Sequence, residues 1–234
     1  MKLHTHEWGG GDRLALLVHG IMADHRTFVK VGPALAERGY RVLAVDLRGH
    51  GRSPAPGDYP LDAFADDLVD TLPAGAGLDL ALGHSLGGLV LSRAVERLRP
   101  ARAVYEDPAF LAAGPGLFDG VDVEKVKRET TRAEVAAARP RWDDEDLDVE
   151  LATLALWDTA TVRFRDGLED TDLLPGRAVV PSLTLLADPS DLVGPERAAL
   201  LAGRGFEVRT VPGTGHVMHR DDLKGFLTAL DGWI

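Results

Sequence analysis

Six consecutive residues, Gly83-His84-Ser85-Leu86-Gly87-Gly88, carry the clearest chemistry in the chain. They fit G-x-S-x-G, a sharp strand-to-helix turn that lifts a serine hydroxyl into the open at the end of a sheet. Small residues flank such a turn because its central residue is strained and the backbone passes close to neighbours. A hydroxyl is a weak nucleophile until a base takes its proton. Ser85 therefore calls for a histidine, and the histidine for an acid that holds its tautomer.

The elements around the motif are those it needs. Leu78 to Leu82 reads as a short buried strand, and Leu86 to Leu98 as a helix with apolar residues at Leu89, Val90, Ala94, Val95 and Leu98. Before them come a strand at Leu14–Val18, a helix at Thr27–Arg38 that becomes regular near Gly32-Pro33, a strand at Arg41–Val45 and a helix at Leu61–Leu72. A strand at Ala101–Tyr105 follows. Short apolar strands alternating with amphipathic helices predict an α/β fold, a mostly parallel, doubly wound sheet with helices on both faces.

The alternation stops over residues 108–178, where two helical stretches, Val123–Ala138 and Asp143–Phe164, stand without a strand. It resumes with Ser182–Ala187, Pro195–Ala202, Phe206–Val211 and Asp221–Trp233. Residues 1–107 and 179–234 are thus expected to form the core, and 108–178 an inserted helical lid; a packing element or an oligomer surface is the other reading. Active sites lie at strand C-terminal ends in such sheets, where both ends of this insert emerge.

Composition narrows the function. Of 234 residues, 26 are basic and 37 acidic, a net charge of -11, which argues against nucleic acid as a partner. No run approaches the roughly 18 apolar residues of a membrane span, and the start, Met1 to Trp8, lacks the apolar stretch of a signal peptide. There is no cysteine, so a thiol nucleophile, a disulfide and a thiolate metal site are excluded. A cytoplasmic location, a small-molecule substrate, no cofactor and no metal are the expectations; His4-Thr5-His6 is too isolated to make a metal-ligand pattern.

Four segments, His19-Gly20, Asp46-Leu47-Arg48-Gly49-His50-Gly51-Arg52-Ser53, Gly83 to Gly88 and Gly213-Thr214-Gly215-His216, resemble the α/β-hydrolase superfamily in order and spacing. The resemblance implies that fold, a cap where residues 108–178 lie, Ser85 as nucleophile and His216 as base. The other histidines have plainer roles: His19 and His84 bonding local backbone, His50 in a turn, His4, His6 and His25 at the surface or in loops, and His219 near the last helix. An oxyanion needs donors already aimed at it. The Leu86 N–H is one. By resemblance the second is that of Ile21, with Met22 next in line.

The acid is less sharply marked. Asp188 and Asp191 both follow the strand ending at Ala187, and the family's usual spacing falls between them, on Ser190. The Ala-Asp-Pro form resembles relatives with Gly-Asp-Pro, which favours Asp188. Asp191 is the alternative, or a cap for the helix starting near Pro195. Glu106 or Asp107, after the preceding strand, is a third option that some relatives use.

A serine at the turn points to acyl chemistry on an ester, lactone, thioester or activated amide of a small, largely apolar molecule. Carbon–carbon bond hydrolysis, a lyase or cofactor-free oxygenase, and a ligand receptor retaining the triad are the alternatives. Met22 and Trp157 are candidate pocket residues, with Leu151, Leu154 and Leu156 on the same insert; core packing competes for most aromatic residues there.

Overall fold

The computed structural model describes residues 1–73 and 75–234. Seven strands, β1 (Thr5–Trp8), β2 (Arg13–Val18), β3 (Tyr40–Val45), β4 (Leu78–His84), β5 (Arg102–Glu106), β6 (Ser182–Leu186) and β7 (Phe206–Thr210), form one sheet in the order β1-β3-β2-β4-β5-β6-β7. All neighbours are parallel except β1 and β3. β1 escaped the sequence reading because it is four residues long and mostly polar. It is held at the sheet edge by pairing with β3, and its flank by Asp46 N–H donating to the His4 carbonyl at 2.9 Å.

Helices α1 (Val31–Ala36), α2 (Leu61–Thr71) and α3 (Leu86–Leu98) connect the first strands. Alternation along β2 sorts the core into two layers. Leu14, Leu16 and Val18 pack with Phe64 and Leu68 of α2 and with Leu89 and Val90 of α3. Ala15 and Leu17 face the other layer, with Phe28, Val31 and Leu35. Burying each such Leu contributes about 1.5–3 kcal/mol.

Beyond β5 the chain forms α4 (Val123–Glu129), α5 (Arg132–Ala138), α6 (Asp144–Ala155) and a 3₁₀ turn at Thr159–Arg165 before entering β6. The two long helices expected here are each divided. Thr131 caps α5 in a reciprocal box with Glu134, Asp122 caps α4, and Asp158 caps the 3₁₀ turn. Thr131 and Asp158 bond local backbone N–H groups and so start new helical segments inside the two expected helices, whereas Asp122 caps the first of them at its expected start. Asp222 likewise separates α8 (Met218–Asp221) from α9 (Leu223–Ala229), which follow α7 (Pro195–Gly203) and β7.

The strand order sets the site. β3 lies on one side of β2 and β4 on the other, so the order in which strands are added switches side at β2, and a crevice opens there at the strand C-terminal ends. In register, Val18 pairs with Gly83, His84 with Glu106, and Glu106 with Leu185. The loops after β2, β4, β5 and β6 therefore start level with one another.

Candidate active site

Ser85 sits between β4 and α3 with φ +53° and ψ −118°, a strained conformation for a residue with a Cβ. Its neighbours show what permits it. A Cβ on Gly83 would lie 2.4 Å from the Gly87 carbonyl oxygen, and one on Gly87 would lie 2.2 Å from that of Val18. Ser85 N–H donates to the Glu106 carbonyl at 2.9 Å, and the Ser85 carbonyl accepts from Leu89 and Ala109 at 3.2 and 3.0 Å. The turn is thus tied to β5 as well as to its own helix.

His216 Nδ1 donates to Asp107 Oδ2 at 2.6 Å. A carboxylate only accepts, so the proton is on Nδ1 and Nε2 is left as an acceptor. The Asp107 side chain is buried and that of His216 is one-third exposed (1% and 33%). Asp107 itself holds φ +35°, the left-handed region that a non-glycine residue occupies at a cost. Its N–H donates to the Leu185 carbonyl at 2.8 Å, and its Oδ1 accepts from the Ala187 N–H at 3.3 Å.

Asp188, the acid preferred from sequence, does not reach His216. It is exposed, and its Oδ2 accepts from the Gly213 N–H at 3.2 Å, steadying the loop that carries His216. The reason is strand adjacency: β5 is next to β4, whereas β6 is one strand farther away. Asp191 is also exposed and off the histidine, and it does not cap α7, whose N-cap is Gly194. Ser190, between them, accepts from the Leu192 and Val193 N–H groups through Oγ.

A second acid–histidine pair lies alongside. His219 Nδ1 bonds Glu106 Oε1 at 2.8 Å, both side chains being almost wholly buried, and its Nε2 meets Thr27 Oγ1 at 3.1 Å. Burial alone would raise the Glu106 pKa, but the adjacent His219, through its charge and its N–H groups, holds it below the usual carboxylate range.

Of the remaining histidines, His19 Nδ1 donates to the Gly20 carbonyl and its Nε2 accepts from Leu47 N–H, and His50 Nδ1 donates to the Arg48 carbonyl. The Gly20 and Arg48 bonds are local, whereas the Leu47 bond ties His19 to the segment after β3. His84 reaches farther: its Nε2 donates to the His216 carbonyl at 2.9 Å, and burial pushes its pKa down to about 3, so it stays neutral. His25 is buried rather than at the surface, bonding Asp46 through Nδ1 at 2.7 Å. His4, His25 and Asp46 bring possible metal-ligand atoms within 4.8 Å of one another, away from Ser85's cavity. The Asp46 oxygens already accept from the His25 and Arg52 N–H groups.

Ser85, His216 and Asp107 line a cavity of about 520 Å³, with Ile21 and Met22 on the β2 side and Leu117, Phe118, Arg139 and Glu150 from the insert. Met22 is in the wall and adopts φ +68°. The Leu86 N–H has no intrahelical acceptor because it opens α3. Among the described residues the Ile21 N–H has no hydrogen-bond partner. Trp157 is not a pocket residue. It is fully buried within the insert and its Nε1 donates to Thr161 Oγ1 at 2.6 Å. Leu151, Leu154 and Leu156 are likewise outside the cavity wall. A helical period identifies an apolar face but not what it covers. The polar insert residues in the wall, Arg139 and Glu150, stood out in no motif.

Known proteins share this architecture. N-formylmaleamate deformylase of Pseudomonas putida is 27% identical over 251 residues, covering 100% of this chain and 93% of that protein. The sn-1-specific diacylglycerol lipase of Mus musculus is 27% identical, covering 94% and 80%. A solved structure of the N-formylmaleamic acid deformylase from Pseudomonas putida S16 superimposes with a TM-score of 0.82 at 26% identity, covering 97% of this chain and 95% of that one. Among the described residues no helix is long and apolar enough to cross a membrane. Residues 15–229 match the alpha/beta hydrolase family, and with the sheet order and the Ser85 turn in place the chain belongs to that family.

Proposed function

We propose that this protein is a serine hydrolase that cleaves an ester, lactone or thioester of a small molecule through an acyl-enzyme. The observation that carries the reading is the 2.6 Å Asp107–His216 bond in the cavity that Ser85 also lines. Ser85 Oγ attacks the acyl carbon while His216 Nε2 takes its proton, then passes it to the leaving oxygen or sulfur. Water, deprotonated by the same nitrogen, releases the acid and restores Ser85. Asp107 holds Nδ1–H and stabilises the imidazolium. The Leu86 and Ile21 N–H groups receive the oxyanion, where one such donor is typically worth a factor of 10²–10³.

The deformylase and lipase names of the two relatives both describe removal of an acyl group, which suits this chemistry. Residues 108–178 act as the lid, supplying Leu117 and Phe118 as the apolar wall over the serine. Labelling with a fluorophosphonate, mapped by mass spectrometry, should modify Ser85, and a chromogenic ester panel should be turned over many times. Absent labelling together with at most a few turnovers would replace the hydrolase by a ligand receptor.

A further inference from the structure

Two guanidinium groups line the cavity, and they differ in what they already hold. Arg220 is committed: its Nη1 donates to Glu150 Oε2 at 2.7 Å, its Nε to Asp146 Oδ1 at 3.2 Å and its Nη2 to the Asp146 carbonyl, and its guanidinium lies 3.6 Å above the Trp142 ring. Arg139 is not. Among the described residues its side chain makes no hydrogen bond and no ion pair, and its only ring neighbour, Trp142, is 5.4 Å away and already covered by Arg220.

Arg139 is half-buried at the end of α5, and its Nη1 lies 3.6 Å from where a Cβ on Gly215 would sit. The guanidinium therefore stands beside the residue preceding His216. The acidic groups around it are engaged elsewhere. Asp221 accepts from Trp142 Nε1 and the Gly215 N–H, Glu150 holds Arg220, and Asp107 holds His216. Asp191 is exposed where the cavity meets solvent. In a chain of net charge -11, a half-buried cation left unpaired within the catalytic cavity is a ready partner for an anion.

The geometry points to Arg139 as the group that binds a carboxylate carried by the substrate, so that the protein acts on monoanionic acyl compounds rather than neutral ones. This rests on the serine-hydrolase reading above. It assigns Arg139 to specificity, since a planar fork of donors matches a carboxylate through two parallel hydrogen bonds.

Two matched pairs of substrates test it: mono-para-nitrophenyl adipate against its methyl ester, and para-acetoxybenzoate against its methyl ester. The first pair carries the carboxylate on the acyl side, the second on the leaving group. The wild-type protein should favour the anionic member of at least one pair by about tenfold or more in kcat/KM. Arg139→Gln should abolish that ratio, and Arg139→Lys, which keeps charge but not the fork, should restore part of it. Equal use of anionic and neutral members in both pairs, or a ratio unchanged in Arg139→Gln, would overturn the assignment. Wild-type labelling by a fluorophosphonate separates the two readings. Labelled protein without anion preference loses only the Arg139 assignment, whereas unlabelled protein that turns over none of the four esters loses the hydrolase itself.

Discussion

Two acid–histidine pairs lie side by side, drawn from neighbouring residues of the same two segments: Asp107 with His216, and Glu106 with His219. Their bond lengths are similar, 2.6 and 2.8 Å. They differ in exposure. The His216 side chain is one-third open to the Ser85 cavity, while His219 is sealed against Phe28 and Phe226. The same chemistry thus serves two ends. An imidazole that can reach a substrate can move a proton, and one enclosed by rings and bonded to Thr27 can only hold α8 against β5. Solvent access, more than the presence of a paired histidine, separates the open pair from the closed one.

The largest effect should come from Ser85, the proposed nucleophile. Ser85→Ala should lower ester turnover by on the order of 10⁶ with the fold retained. Unchanged turnover by the purified variant would remove the open pair from catalysis altogether.

Next comes the open pair itself. Asp107→Asn should reduce kcat by about 10⁴, because an amide can hold the wrong imidazole tautomer. Steady-state kinetics that instead single out Asp188→Asn would transfer the acid to the loop after β6.

The closed pair should answer in stability. Glu106→Ala leaves a buried partner without its counter-charge, a loss of about 3–5 kcal/mol, or roughly 10 °C in Tm for a chain of this size. The sign with pH follows from the lowered Glu106 pKa. Its contribution is present above the unfolded-state value, about 4.3, and is lost as pH falls through the folded-state value. Melting curves of wild type and variant should therefore converge on acidification below about pH 4. A gap that widens in acid would contradict the ion-pair account.

Smaller still is the wall above the open pair. Phe118→Ala should change selectivity between short and bulky acyl groups by roughly tenfold, the range of a few methylene contacts. Equal selectivity would make the insert scaffold rather than pocket. Smallest is Asp188→Asn, an exposed change expected within about 0.5 kcal/mol in stability and twofold in kcat, readable by the same two assays.

The insert and the sheet were unequally legible. Each parallel strand was placed to within one or two residues, because a run such as Leu14 to Val18 is apolar on both faces and has few other homes. The insert's helices were placed but not divided, since Thr131 and Asp158 cap through side-chain bonds that hydrophobic period does not register. Trp157 shows the same limit: its size marked it as important, but whether a large ring faces a cavity or a neighbouring helix depends on packing.

Sequence by itself determined the local geometry around Ser85. The glycine at 83 is demanded by a contact of 2.4 Å within the turn itself, so the motif and the strained serine come together, while that at 87 answers to β2, 2.2 Å away at the Val18 carbonyl. Sequence also singled out His216, whose Gly-rich loop is a local signature, as the base to propose. Which carboxylate bonds His216 was decided only by the tertiary structure. Asp107 and Asp188 both follow apolar strands, and the local cue, the Ala-Asp-Pro form, favours Asp188. What ranks them is that β5 lies against β4 and β6 does not, a fact of strand order. Arg139 was likewise invisible: what sets it apart is that its side chain has no hydrogen-bond or ion-pair partner among the described residues, and that is a property of everything around it.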